Sequence, residues 1–183
     1  MNVREHYLIL RNAIDERCDR LFQRFSASVN CRRGCSRCCT HLAVLPVEFD
    51  QLRRIPGISA LGERNQRDNP NRCPFLKDNA CAIYAERPLI CRVFGLPQLW
   101  RIEEWGGDGR LLPQTSWESA LDWCELNFTS YDPEDDRDSF KDDELIDMYA
   151  LNQELLRLNT LFCSAPEGKL FDPHHRIPLG ELL

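Results

Sequence analysis

Cys31-Arg32-Arg33-Gly34-Cys35-Ser36-Arg37-Cys38-Cys39 sets four thiols within nine residues of a 183-residue chain. The stretch is too short and too polar for a regular element, and Gly34 lets the backbone turn sharply. It therefore reads as a loop built around its own sulfurs. Cys35-x-x-Cys38 is the knuckle spacing by which two sulfurs reach one tetrahedral metal, and Cys31 is near enough to join them. Cys38 and Cys39 are harder to place on one ion. Neighbouring side chains diverge by about 100° on a helix and point to opposite faces of a strand, so these two are expected to serve different metals, or different atoms of one cluster.

The chain holds ten cysteines. After the loop they continue in Cys73-Pro74-Phe75-Leu76, in Cys81-Ala82-Ile83-Tyr84, in Arg87-Pro88-Leu89-Ile90-Cys91-Arg92-Val93-Phe94 and at Trp123-Cys124. Together these motifs resemble the bacterial cysteine-cluster family of zinc- or iron-chelating domains (YkgJ-like). Its pattern is a tight CxxCxxCC group followed by CPFL, CxIYxxRPxxCRxF and a later cysteine. The likeness covers residues 31–94 closely and reaches Cys124 more loosely. One departure stands in the first group, with three residues between Cys31 and Cys35 where the family has two. The resemblance implies eight ligands, Cys31, Cys35, Cys38, Cys39, Cys73, Cys81, Cys91 and Cys124, filling two four-thiolate sites or one polynuclear cluster. Cys18 and Cys163 lie outside it. The family also looks related to a flagellin lysine methylase, but only through the cysteine region, so methyl transfer is not carried over.

Compartment and charge bear on the same thiols. The first residues soon carry Arg4, Glu5, Arg11, Asp15, Glu16 and Arg17, which is not the apolar stretch of a signal peptide. No run approaches the ~18 apolar residues of a membrane span. A soluble, cytoplasmic protein is expected, and in a reducing compartment cysteines are metal ligands or catalytic groups rather than a disulfide framework. The net charge of -6 is unevenly divided: residues 31–92 hold eleven basic and six acidic side chains, residues 103–154 three basic and sixteen acidic. Arg32, Arg33, Arg37, Arg72, Lys77, Arg87 and Arg92 are thus expected counter-ions for thiolates. An acidic protein without aromatic interleaving in its basic stretch does not suit nucleic acid. The acidic region 103–154 is instead the expected surface for a protein partner.

The expected architecture is a single small domain over residues 1–183, mainly α with irregular cysteine-rich metal-binding loops and a small β-hairpin. An N-terminal helical part (1–30), a cysteine-cluster core (31–128) and a C-terminal helix with its tail (129–183) divide it. Val3, Tyr7, Leu10, Ile14, Cys18, Leu21 and Phe25 recur at helical spacing over residues 3–25, with Cys18 a small buried hydrophobe on the apolar face. A short strand at His41–Leu45 precedes a helix opened by Pro46 and stopped by Pro56-Gly57. An exposed loop is expected over 62–72, a brief strand at Cys81–Tyr84, and a helix begun by Pro88 that carries Cys91 and closes at Gly95. Gly106-Gly107-Asp108-Gly109 reads as the turn of a hairpin between Leu99–Ile102 and Leu111–Leu112. Thr115 and Glu118 match a capping box, predicting a helix that faces Trp117, Leu121, Cys124 and Phe128 inward. Past the acidic loop Asp132–Asp138, Leu145 to Phe162 trace a long helix that is expected to end near Pro166 and Gly168, with Leu170, Phe171, Ile177 and Leu179 docking back from the tail.

Other chemistry fits less well. Cys31-x-x-x-Cys35-x-x-Cys38 matches the spacing of radical S-adenosylmethionine enzymes, but no βαβ alternation follows and five further cysteines would go unexplained. His41 is expected in a polar structural role rather than as a ligand, and His174 and His175 as solvated. The acidic loop has Arg137 where a calcium loop needs Gly, and no HExxH, GxSxG or phosphate loop is present. No catalytic residue is assigned. Arg87 and Arg92 are expected to compensate thiolate charge or to hydrogen-bond thiolates and carbonyls around the site, and Phe75, Tyr84 and Phe94 to shield it. The reading is a metal-binding protein chelating zinc or iron, with an iron–sulfur cluster included because four thiolates suit both metals. The alternatives are a structural zinc module for protein–protein contact and an iron–sulfur enzyme of methyl, sulfur or redox chemistry.

Overall fold

A computed structural model describes residues 2–32, 34–62, 71–101 and 119–183. Helix α1 (Val3–Arg24) begins at Asn2, whose side chain accepts the Glu5 N–H at 2.9 Å while its own N–H donates to the Glu5 carboxylate at 2.9 Å. That reciprocal pair satisfies donors the first turn leaves over. Tyr7, Cys18 and Leu21 face inward, so Cys18 is the buried hydrophobe its spacing predicts. Helix α5 (Met148–Ser164) is capped by Asp147, which accepts the Ala150 N–H at 2.8 Å. Its stripe of Met148, Leu151, Leu155, Leu158 and Phe162 is buried.

Between them, strand β1 (Ala43–Val44) leads into helix α2 (Pro46–Arg53), opened by its proline, and a short turn α3 (Ile58–Leu61) follows. Hairpin strands β2 (Leu76–Lys77) and β3 (Ala80–Cys81) come next, then helix α4 (Leu89–Val93). The strand expected over Cys81–Tyr84 is therefore shorter and earlier, and Tyr84–Glu86 is a single 3-10 turn. Strand β4 (Gln98–Arg101) pairs antiparallel with β5 (Ser119–Asp122), Leu99 opposite Leu121, and parallel with β6 (Ile146–Asp147). Strand β7 (Ile177–Pro178) returns the tail to β1.

Two sequence expectations fail here. Over residues 119–128 of the helix predicted from Thr115 through Phe128, the chain forms β5 and a series of turns, with Phe128 at φ 51. Leu121 is buried while Ala120 and Asp122 are exposed, a period of two, and pairing with β4 overrides the helical reading. Leu170, expected to dock, is 99% exposed, although Ile177 and Leu179 are buried. The proposed turn at 106–109, its second strand at 111–112, residues 115–118 and most of the loop at 62–72 lie outside the described residues.

Two cores result. The larger joins α1, α4, α5 and β6 around Phe128, Phe140 and Phe162. The smaller gathers Val44, Leu52, Ile58, Phe75, Ile83, Leu179 and Leu182, with Cys73 and Cys81 packed against it. The protein is a single small domain, mainly α with sheets of two or three strands. Among the described residues, no helix is long and apolar enough to cross a membrane.

Candidate metal centre

The cysteine loop is a chain of tight turns. Cys35 N–H donates to Arg32 O at 3.0 Å, Cys39 N–H to Ser36 O at 3.0 Å and Thr40 N–H to Cys38 O at 3.0 Å, and Gly34 takes φ +97. The last of these bonds folds the backbone about Cys39. Consecutive side chains, which would diverge on a helix or strand, are brought together instead, and the Cys38 thiol donates to the Cys39 sulfur. That hydrogen bond, with burial second, pushes the Cys38 thiol up, and the same bond lowers Cys39.

Beyond the loop, the chain at 39–41 runs antiparallel to 71–73. Cys73 N–H donates to Cys39 O at 3.1 Å and His41 N–H to Asn71 O at 2.7 Å, around a bridge between Thr40 and Arg72. This places Cys73 beside Cys39. The β2–β3 hairpin then pairs Leu76 with Cys81 and turns through Asp78 (φ 49) and Asn79 (φ 56). Two left-handed residues in a two-residue loop make the turn whose twist suits a hairpin. The Asp78-Asn79 dipeptide is the signal by which sequence reasoning could have found it. Phe75, between the two cysteines, is fully buried. The Phe75 N–H donates to the Cys73 sulfur and the Ile83 N–H to the Cys81 sulfur.

Cys91 arrives on α4. The helix start is held by Glu48 of α2, a buried carboxylate that accepts the Leu89 N–H at 3.0 Å and whose pKa is raised, burial first among the causes. At the opposite end of the loop, Cys31 receives the Asn127 side-chain amide at 3.2 Å, and Asn127 N–H donates to Cys124 O at 2.7 Å. Asn127 was not foreseen from the sequence.

Burial raises the Cys31, Cys73, Cys81 and Cys91 thiols, Cys91 to about 12. The thiols also act on one another's charge: Cys31 with Cys124, Cys38 and Cys35, and Cys39 with Cys73, Cys81 and Cys91. Cys38 adjoins both sets, being felt by Cys31 as well as by Cys73, Cys81 and Cys91. Cys18, raised to about 11 by burial, has Asp15, Arg87, Asp19 and Arg92 as its charged neighbours, and Cys163 has Asp172. With the side chains as they stand, no three or more Cys, His, Asp or Glu among the described residues are arranged to hold one metal ion. The donor set itself suits zinc or iron, since thiolates that receive N–H bonds are their usual ligands.

The surroundings depart from expectation at Tyr84 and Phe94. Arg92, only 2% exposed, takes the second of its expected roles, donating to the carbonyls Arg87 O at 2.8 Å and Ala85 O at 2.6 Å, and it also donates to Asp15 of α1 at 2.5 Å. A guanidinium buried away from solvent requires such partners. Arg87 is the counter-ion, lying 3.8 Å from the Tyr84 ring centroid and lowering Cys38 and Cys81 by its charge. Of the three expected shields only Phe75 is buried, Tyr84 and Phe94 being 65% and 40% exposed. His41, His174 and His175 are exposed, and Arg33 lies outside the described residues.

Residues 30–111 match the model of the CxxCxxCC family, described as a "putative zinc- or iron-chelating domain". Over this segment, less than half of its length, the chain is similar to that family. The matched residues take in seven of the cysteines foreseen as ligands and stop short of Cys124 and Asn127. Neither a curated protein nor a solved structure matches the chain.

Proposed function

We propose that the chain chelates zinc or iron through Cys31, Cys35, Cys38, Cys39, Cys73, Cys81, Cys91 and Cys124. The observation that carries this reading is selective convergence. The backbone sets Cys73 against Cys39, Cys31 and Cys124 both meet Gly95, and the thiols of the set act on one another's charge, whereas Cys18 and Cys163 have other charged neighbours. A hydrophobic core alone would draw in cysteines without regard to that division. The N–H donors at Cys31, Cys73 and Cys81, with the Arg87 charge nearby, further suit sulfurs that carry negative charge when loaded.

Loading requires the thiols to give up protons, including the one shared by Cys38 and Cys39, and to rotate toward the metal. Zinc bound by four thiolates closes a tetrahedral structural site, whereas iron with sulfide forms a cluster able to carry electrons. The test is purification without oxygen, followed by elemental analysis and an absorption spectrum. Stoichiometric zinc in a colourless protein, or iron with the broad visible absorption of a sulfide-bridged cluster, is the expected result. Material containing neither element, even after reconstitution with each under reducing conditions, refutes the reading.

A further inference from the structure

Asn127 lies in the turn after β5, past the end of the CxxCxxCC match, and is 1% exposed. Both polar atoms of its side chain are engaged, on two separate segments. Nδ2 donates to Cys31 Sγ at 3.2 Å and to Gly95 O at 2.7 Å, while Oδ1 accepts the Asn30 N–H at 2.8 Å. Its backbone N–H closes the turn onto Cys124 O at 2.7 Å. One residue therefore joins the entrance of the cysteine loop, the turn after α4 and the last cysteine of the set.

The neighbours make room for that contact. Gly95 takes φ +94, and a Cβ there would stand 2.9 Å from Cys31 Sγ, 3.0 Å from Asn127 Nδ2 and 3.8 Å from Cys124 Cβ. Glycine is thus required both by the turn and by the close approach of a sulfur and an amide. Asn30 Nδ2 donates to Leu126 O at 2.6 Å and Phe128 N–H to Ser28 O at 2.7 Å, fastening the same two stretches on either side.

Resting on the chelation reading above, we infer that Asn127 is a positioning residue of the metal centre, holding Cys31 beside Cys124 and donating a hydrogen bond to the Cys31 sulfur so that both ligate one ion. A carboxamide suits this task. It gives a thiolate an N–H donor, which strengthens as the sulfur acquires charge, without adding a cation that would compete with the metal. An aspartate of the same shape would keep the bond to Asn30 but turn an acceptor toward the sulfur and the Gly95 carbonyl.

The test uses the full chain loaded with cobalt(II), a coloured substitute for zinc, in the wild type, N127D, C31S and the double variant. Affinity is read by competition with a chelator, and ligation by the thiolate-to-cobalt charge-transfer band. N127D is expected to weaken binding by about tenfold to a hundredfold and to shift the band, and to do neither when Cys31 is already serine. Unchanged affinity and band in N127D, or an equal loss in the C31S background, overturns the inference. A wild-type chain that takes up no metal overturns the chelation reading and this inference with it. Should N127D fail to fold, the wild type loaded with cadmium-113 gives an independent measure. A coupling between the metal and the Asn127 side-chain amide, transmitted across the Cys31 sulfur, is expected, and its absence overturns the inference.

Discussion

Replacing Asp50 by Asn removes one buried charge without changing its shape, and its effect on stability can be worked out from the contacts. The carboxylate is completely shielded and accepts from Arg4 Nε at 2.6 Å, Arg53 Nη2 at 2.6 Å and Arg54 Nε at 2.9 Å. Burial alone would push its pKa up. Hydrogen bonds from Arg4, Arg54 and Arg53 outweigh that and hold it at about 2, against an ordinary 3.8. A lowered folded pKa means that the folded state favours the charged form. Converting the difference gives about 2 kcal/mol of stability. That stability is fully present above the unfolded value near 3.8 and is lost as the pH falls through the folded value of about 2.

Urea unfolding of wild type and D50N in reductant is the assay. At neutral pH the variant should be less stable by about 2 kcal/mol, which lowers the midpoint by about 1 M for a slope of roughly 2 kcal/mol per M. The gap should close as the pH approaches 2. Asp50 binds α2 to the first turn of α1 and lies among helices rather than thiols, so metal content should stay that of the wild type. A gap at neutral pH below about 0.5 kcal/mol, the range of an ordinary surface change, would refute the reasoning. So would a gap that persists undiminished at low pH.

Phe75→Ala should cost about 3–5 kcal/mol by opening a cavity in the smaller core, and Phe75→Leu about 1 kcal/mol. Both are read from thermal unfolding of the apo chain, and similar effects of the two would contradict the packing described. At Asn79, φ 56 predicts that Asn79→Gly is neutral or slightly stabilising, whereas Asn79→Val costs about 1–2 kcal/mol, because a β-branched residue is strained there. Equal stability of the glycine and valine variants would show that the turn is formed differently.

Legibility from sequence followed the range of the interactions involved. The Asn2–Glu5 cap, Pro46 opening α2, Pro88 before α4 and the stripe of α5 are local signals, and each marks an element that forms. Ser119–Asp122 carries an equally local signal that misleads. Leu121 satisfies a helical spacing with Trp117 and Cys124, yet what decides its conformation is the partner strand at Leu99, which lies across an intervening stretch. The hairpin through Asp78-Asn79 was readable from its turn dipeptide. The meeting of 39–41 with 71–73 was not, since a single isolated bridge leaves no periodic trace.

The candidate site divides in the same way. Which cysteines take part is carried by their spacing, because a sulfur must be a cysteine wherever it is needed. What each polar neighbour does is decided at a distance. Arg87 and Arg92 flank Cys91 symmetrically in sequence, but α1 supplies Asp15 to Arg92 alone, so one arginine becomes a buried tie between helices and the other remains beside the sulfurs. Asn127 is the extreme case: one asparagine in a turn has no distinguishing neighbour in sequence, and its importance arises only where Asn30, Cys31, Gly95 and Cys124 meet. The helical core explains why such a meeting point is stable. Its buried residues come from α1, the start of α2, α4, β5, β6, α5 and the aromatics near them. It therefore fixes the ends of the cysteine segments, at Asn30, Leu45, Leu89 and Phe128, while the thiols themselves remain outside it. Between those fixed ends the smaller core seats Cys73 and Cys81, and the remaining loop at 31–39 is left to be specified by sulfur chemistry.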